Sequence, residues 1–270
     1  VLFVGVYASE MLKAKIDELS RNEGKFPVSS IKYTRLIGEG FHHHMGGNVT
    51  SLFLVPMGMY PLCRMFVWKR TQIDGDNYIP FINIMLLKQL TIMLYVLYFS
   101  MKWYFQNPGN ERKMIVFSIL YLPFLVAVAP LRVARRMLVA SFVPDMPEYL
   151  FSYSEAKFSF KKVLIPLYIN LSKRMVKVVD FFVYITKYMG DRFGNKPFHI
   201  IEGFTDASDR DITRGSSEGE RRGIMYAGFL HEKFGLGLLL RAFHEMEGDY
   251  ELWLFGNGDM EKEIETVSRK

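Results

Sequence analysis

The sequence predicts an α/β protein: parallel sheet, helices on both faces. Three observations predict it. Short apolar, β-branched runs alternate with segments of helical periodicity along most of the chain. After a polar stretch at 207–222 the alternation resumes, with one further strand, helix and strand. The composition is that of a folding chain, with 50% hydrophobic, 15% aromatic and 23% charged residues among 270, which excludes disordered, collagen-like and low-complexity classes.

Taken in order, Leu2-Phe-Val-Gly-Val-Tyr7 reads as a buried strand and Ser9 to Leu19 as a helix capped by Ser9. Ser51-Leu-Phe-Leu-Val-Pro56 is the next strand, stopped by Pro56 and a turn through Gly58 and Pro61. Then follow helix 81–105, strand 114–118, helix 123–136, strand 137–143, helix 158–179, strand 180–185, helix 187–193 and strand 198–202. Residues 207–222 are rich in Ser, Asp, Arg and Gly and are expected to link two domains, 1–206 and 223–270. Gly223-Ile-Met-Tyr-Ala-Gly228, helix 235–246 and strand 250–255 make a complete βαβ unit, followed by Gly256-Asn-Gly258 and a new helix. Val1 stands in mid-strand and Lys270 inside a helix, so the sequence is expected to be a piece of a longer chain, its second domain incomplete.

Met114 to Leu131 is 18 residues without a charge, followed by Arg132, Arg135 and Arg136, which resembles a membrane span with its positive flank. The strand-length run Met114 to Ile119 and the helix opened by Pro123 divide it better into two elements. Cys63 stands alone, which excludes an intrachain disulfide framework and a multi-cysteine metal cluster and fits a cytoplasmic protein. Charge is uneven: residues 1–200 carry 25 basic and 13 acidic side chains, a net +12, whereas residues 201–270 carry 9 and 15, a net −6. The basic front suggests an anionic partner such as a phospholipid surface, a phosphorylated acceptor or nucleic acid, and the acidic tail argues against a simple nucleic-acid binder. Lys157 to Val179 interleaves lysines and Arg174 with apolar residues, and reads either as a basic amphipathic helix on an anionic membrane or as a core helix with a solvated basic face.

The chemistry-bearing residues lie where strands end. Gly228 closes a strand, Lys233 follows in a short polar loop, and Gly235 opens a helix, the arrangement in which backbone N–H groups face a phosphate. Gly256 and Gly258 after the next strand let the backbone approach a ligand at the sheet's carboxyl edge, or merely satisfy turn geometry. Asp145 and Glu148 follow strand 137–143 in a turn stiffened by Pro144 and Pro147; they read as two carboxylates at the carboxyl edge, or as an Asp–Pro turn with a helix cap. Glu202 and Gly203 end the last front strand, as a ligand contact and a hinge or as a plain chain turn. His42, His43 and His44 are expected in a flexible polar loop extended by Gly46 and Gly47, since adjacent histidines do not share a face for a metal.

The string Ile224-Met-Tyr-Ala-Gly-Phe-Leu-His-Glu-Lys-Phe-Gly-Leu-Gly-Leu-Leu-Leu-Arg-Ala-Phe243, with Tyr250-Glu-Leu-Trp-Leu-Phe-Gly-Asn-Gly-Asp259, resembles family 4 of the retaining glycosyltransferases. Pro56 to Pro61, Val143 to Tyr149 and Ile200 to Gly203 are similar to members that build bacterial surface polysaccharides. The resemblance implies a GT-B fold of two Rossmann-like domains, the first taking a glycan or lipid-linked acceptor and the second a nucleotide-sugar donor. It further implies donor contacts at Gly228, Lys233, Gly235, Gly256 and Gly258, acceptor or cleft contacts at Gly46, Gly47, Glu202 and Gly203, and a catalytic pair Asp145 and Glu148. No metal or other cofactor is expected, because in that family the leaving diphosphate itself takes the acceptor proton. Phe229 and Phe234 occupy the places where many members hold an arginine and a lysine on the donor diphosphate, which leaves Lys233 as the loop's cation. The implied protein is cytoplasmic and peripheral on the inner face of the plasma membrane. The alternative is a non-catalytic polybasic protein that binds a membrane or a partner.

Overall fold

The computed structural model describes residues 1–20, 28–109, 112–133, 137–146, 159–205 and 222–268. The chain divides into two compact units, Val1–Asp209 and Arg210–Lys270. Within the first run β1 (Leu2–Val6), α1 (Glu10–Leu19), α2 (Val28–Met45), β2 (Thr50–Leu54), β3 (Val67–Trp68), β4 (Thr71–Ile73), β5 (Asp76–Tyr78) and β6 (Phe81–Ile82). There follow α3 (Leu87–Gln106), β7 (Lys113–Phe117), α4 (Leu122–Val133), β8 (Met137–Val143), α5 (Ser159–Met175), β9 (Phe181–Tyr184) and β10 (Phe198–Ile200). The second unit has β11 (Arg222–Ala227), α6 (Leu236–His244), β12 (Tyr250–Phe255) and α7 (Glu261–Ser268).

The large sheet runs β10-β9-β8-β7-β1-β2-β5-β4, parallel throughout except for the antiparallel edge strand β4. Both faces of its centre are covered, so Leu2, Phe3, Val4, Ile115, Phe117 and Val139 are all fully buried, and the strands read as continuous apolar runs. Strand order reverses between β1 and β7: the chain winds outward through β2 and β5, then returns to the other side of β1. This is the doubly wound, Rossmann-like arrangement, and its crevice opens at the carboxyl ends of β1 and β7. Ser9 caps α1, accepting from the Leu12 amide at 3.4 Å. The uncharged stretch at 114–131 divides into β7 and α4, and among the described residues no helix is long and apolar enough to cross a membrane.

Three expectations are corrected. The helix expected over 81–105 begins at Leu87, because Phe81 and Ile82 pair with Trp68 and Val67, and Leu86 at φ +68° turns the chain before the helix starts. His42 to His44 close α2 instead of lying in a loop: Ile31, Thr34 and Ile37 on one face are buried, and the helix packs against β1. Residues 187–192 form 3₁₀ turns where a helix was expected over 187–193. Of the linker expected at 207–222 only Arg222 is described, and it begins β11.

In the second unit β11 and β12 pair in parallel, with α6 as their crossover. Its small core is Leu230, Leu236 and Met260, with Leu239, Leu240 and Leu254 packed against it.

Candidate functional site

At the switch point the elements approach closely because β1 carries a glycine there. A Cβ built on Gly5 would fall 2.6 Å from Thr34 Cγ2 and 2.7 Å from Ser118 Oγ, so α2 and the end of β7 close on this position only without a side chain. Ser118 Oγ accepts from the Thr34 hydroxyl at 3.1 Å and from the Val6 amide at 3.4 Å, and both hydroxyl residues are fully buried. These bonds fix the amino half of α2 over the carboxyl ends of β1 and β7.

Tyr33, beside Thr34 on α2, stands edge-on to Phe204 (5.1 Å between centroids) and to Phe142 (6.3 Å). Its hydroxyl is shut from solvent and has no hydrogen-bond partner among the described residues. Burial pushes its pKa up to about 12, and the nearby Asp145 carboxylate adds to the rise. Asp145 follows the end of β8 and reaches solvent, yet the protein around its carboxyl group removes part of its hydration and raises its pKa. Glu202 and Gly203 follow β10, on the segment that Phe204 holds against Tyr33 and Phe142, so they share the carboxyl edge with Asp145. Glu148 lies outside the described residues.

Gly46 and Gly47 are not brought to that edge. They form a 3₁₀ turn leading into the amino end of β2, the opposite edge of the sheet from Asp145 and Glu202. A pocket there holds His42, Ser51, Asp74 and Asp76, with His42 Nε2 2.9 Å from Ser51 Oγ. Burial raises Asp76, against the lowering effects of His42 and a Ser51 hydrogen bond. No three His, Cys, Asp or Glu residues among those described are grouped to hold a metal ion.

The loop after β2 is anchored by two side chains to which sequence reasoning gave no such role. Asn83 Nδ2 donates to Gly58 O and to Met65 O, each at 2.9 Å, and Lys88 Nζ donates to Met57 O at 2.7 Å while lying 4.8 Å over the Phe81 ring. Lys88 is only 7% exposed, and burial pulls its pKa down to about 8. A lysine in an otherwise apolar helical run was the available signal.

In the second unit the loops after β11 and β12 are joined backbone to backbone. Leu230 N donates to Asn257 O at 3.0 Å, and Met260 N to Leu230 O at 3.0 Å. A Cβ on Gly256 would meet Gly228 O at 1.7 Å, and one on Gly258 would meet Leu230 O at 2.1 Å. Those two glycines are therefore required by the neighbouring chain, whatever else they contact. Gly235, at φ +79°, supplies the left-handed turn into α6. Lys233 lies 5.3 Å over the Phe234 ring, which stacks on Phe229 at 6.1 Å. The Glu232 carboxylate occupies the start of α6: a Cβ on Gly237 would fall 2.6 Å from its Oε2. A negative side chain at a helix N-terminus is favoured by the helix dipole.

No protein-family model matches the chain, and no curated protein matches its sequence.

Proposed function

We propose that the protein is a retaining glycosyltransferase of GT-B architecture, moving a sugar from a nucleotide-diphosphate donor to a lipid-linked or glycan acceptor of a surface polysaccharide. The observation that carries this reading is the second unit. Its resembling residues fold as a β-α-β unit whose strand-end loops bring Lys233, Gly235 and Gly258 to one edge. The first unit supports it with an accessible carboxylate, Asp145, at the carboxyl edge of a doubly wound sheet.

In the proposed reaction the acceptor hydroxyl oxygen bonds to the anomeric carbon as the bond from that carbon to the diphosphate breaks. The bonding pair leaves with the diphosphate oxygen, which takes the acceptor proton, so the chain need supply no base. Asp145 accepts hydrogen bonds from sugar hydroxyls and orients them, with Glu202 as a further contact. Lys233 and the amino end of α6 stabilise the charge that grows on the leaving diphosphate. The protein works at the inner face of the plasma membrane, without a metal. Incubation with a panel of nucleotide sugars and membrane-extracted acceptor should release nucleoside diphosphate with one of them. Release from none of the panel would contradict the reading.

A further inference from the structure

Helix α3 is apolar on two sides, and only one of them is used. Its inner side, with Ile92, Val96, Phe99 and Trp103, is buried, and α3 packs against α4. The opposite side presents Leu87, Leu90, Leu94, Tyr98, Met101 and Phe105, each between 41% and 70% exposed. At the helical rotation these six fall within an arc of about 80° and form a straight stripe about 27 Å long. Monomeric proteins rarely leave so continuous an apolar face in water.

Beside the stripe, between α3 and the β3–β6 pair, runs an apolar groove of about 400 Å³ lined by Val67, Trp68, Phe81, Leu94 and Tyr95. The Trp68 indole N–H and the Tyr95 hydroxyl are buried with no hydrogen-bond partner among the described residues. With those donors shut away, the groove presents an apolar lining that suits acyl chains and not a polar ligand.

The segments that build this face carry charges of one sign, and Asp74 and Asp76, which lie between those segments, line the pocket with His42 and Ser51. Residues 57–73 and 77–109 contain Arg64, Lys69, Arg70, Lys88 and Lys102 and no acidic residue. Of these cations all but Lys88 are exposed. A second copy of the chain fits badly, because a two-fold contact through this face would bring two sets of cations together with no carboxylate in these segments to offset them. A span is equally excluded for α3, whose other side belongs to the core. We propose that this face docks the protein on an anionic bilayer, with the α3 stripe in the acyl boundary and Arg64, Lys69, Arg70 and Lys102 on lipid phosphates. The proposal rests on the membrane location proposed above and names the surface that would provide it, and flotation reads that surface without any measure of glycosyl transfer.

Flotation of the whole chain with vesicles of phosphatidylcholine containing about 30% phosphatidylglycerol tests it. The parent should float, less so with phosphatidylcholine alone, and the partition coefficient should fall at least about tenfold in Leu94→Glu/Phe105→Glu and in Arg70→Glu/Lys102→Glu. The second pair leaves the stripe intact and changes only exposed cationic positions, so it reads the surface even if glutamates within the apolar stripe impair folding. A parent that stays unbound, or both pairs binding as it does, would overturn the proposal. So would a parent that forms dimers which the Leu94→Glu/Phe105→Glu pair dissolves, with no lipid binding by either.

Discussion

Asp145 is held in a form that the fold itself disfavours. Burial raises its pKa, so in the folded protein the ionised carboxylate is less stable than in water, and Asp145→Asn should relieve that cost. The sign follows from linkage: well below the ordinary carboxylate range both states are protonated and the substitution is neutral, and the gain grows as pH rises through the raised pKa. We predict that Asp145→Asn melts no lower than the parent at neutral pH while its kcat/KM for transfer falls at least about tenfold, about 1.4 kcal/mol of transition-state binding. Unchanged activity would remove Asp145 from the site. The donor loop makes an opposed pair of predictions. Lys233→Ala should lower donor kcat/KM by roughly 10- to 150-fold, the effect of losing a hydrogen bond to a charged group. Glu232→Gln should raise it about two- to fivefold, because the carboxylate competes with phosphate for the start of α6. Donor-varied steady-state kinetics read both, and movement of the two variants in the same direction would contradict this assignment of the loop.

Among the elements, the junction of α3 with the loop after β2 depends on a buried cation. Lys88 holds its proton only up to about pH 8, whereas an exposed lysine holds it to 10.5. Between those values the unfolded chain binds a proton that the folded one has released, so the stability contributed at this position rises with pH. The melting temperature of the parent should therefore climb relative to that of Lys88→Met across pH 8 to 10.5; parallel profiles would contradict a buried charge. Sequence periodicity placed the elements well where apolar residues alone form the inner face, as in β7 and α4. It failed at α2, whose buried face includes Thr34 and Gly38; a Cβ on Gly38 would stand 3.1 Å from the Phe3 ring. It also passed over the β4–β5 hairpin. There Asp74 and Gly75, both at positive φ, are the Asp-Gly turn that a two-residue hairpin favours.

For the whole molecule, alternation predicts a parallel sheet but not the order of its strands. The order came from packing, and it separated the candidate residues: Asp145, Glu202 and Gly203 fall at the carboxyl edge, Gly46 and Gly47 at the other. Tyr33, Thr34 and Ser118 were illegible as site neighbours, since they meet only when β1 and β7 become adjacent around Gly5. The central claim is sugar transfer with retention, and the configuration of the product tests it most directly. With the nucleotide sugar that the protein consumes, nuclear magnetic resonance of the extended acceptor should show the new glycosidic carbon in the donor's anomeric configuration. An inverted linkage, or free sugar with no extended acceptor, would contradict the account.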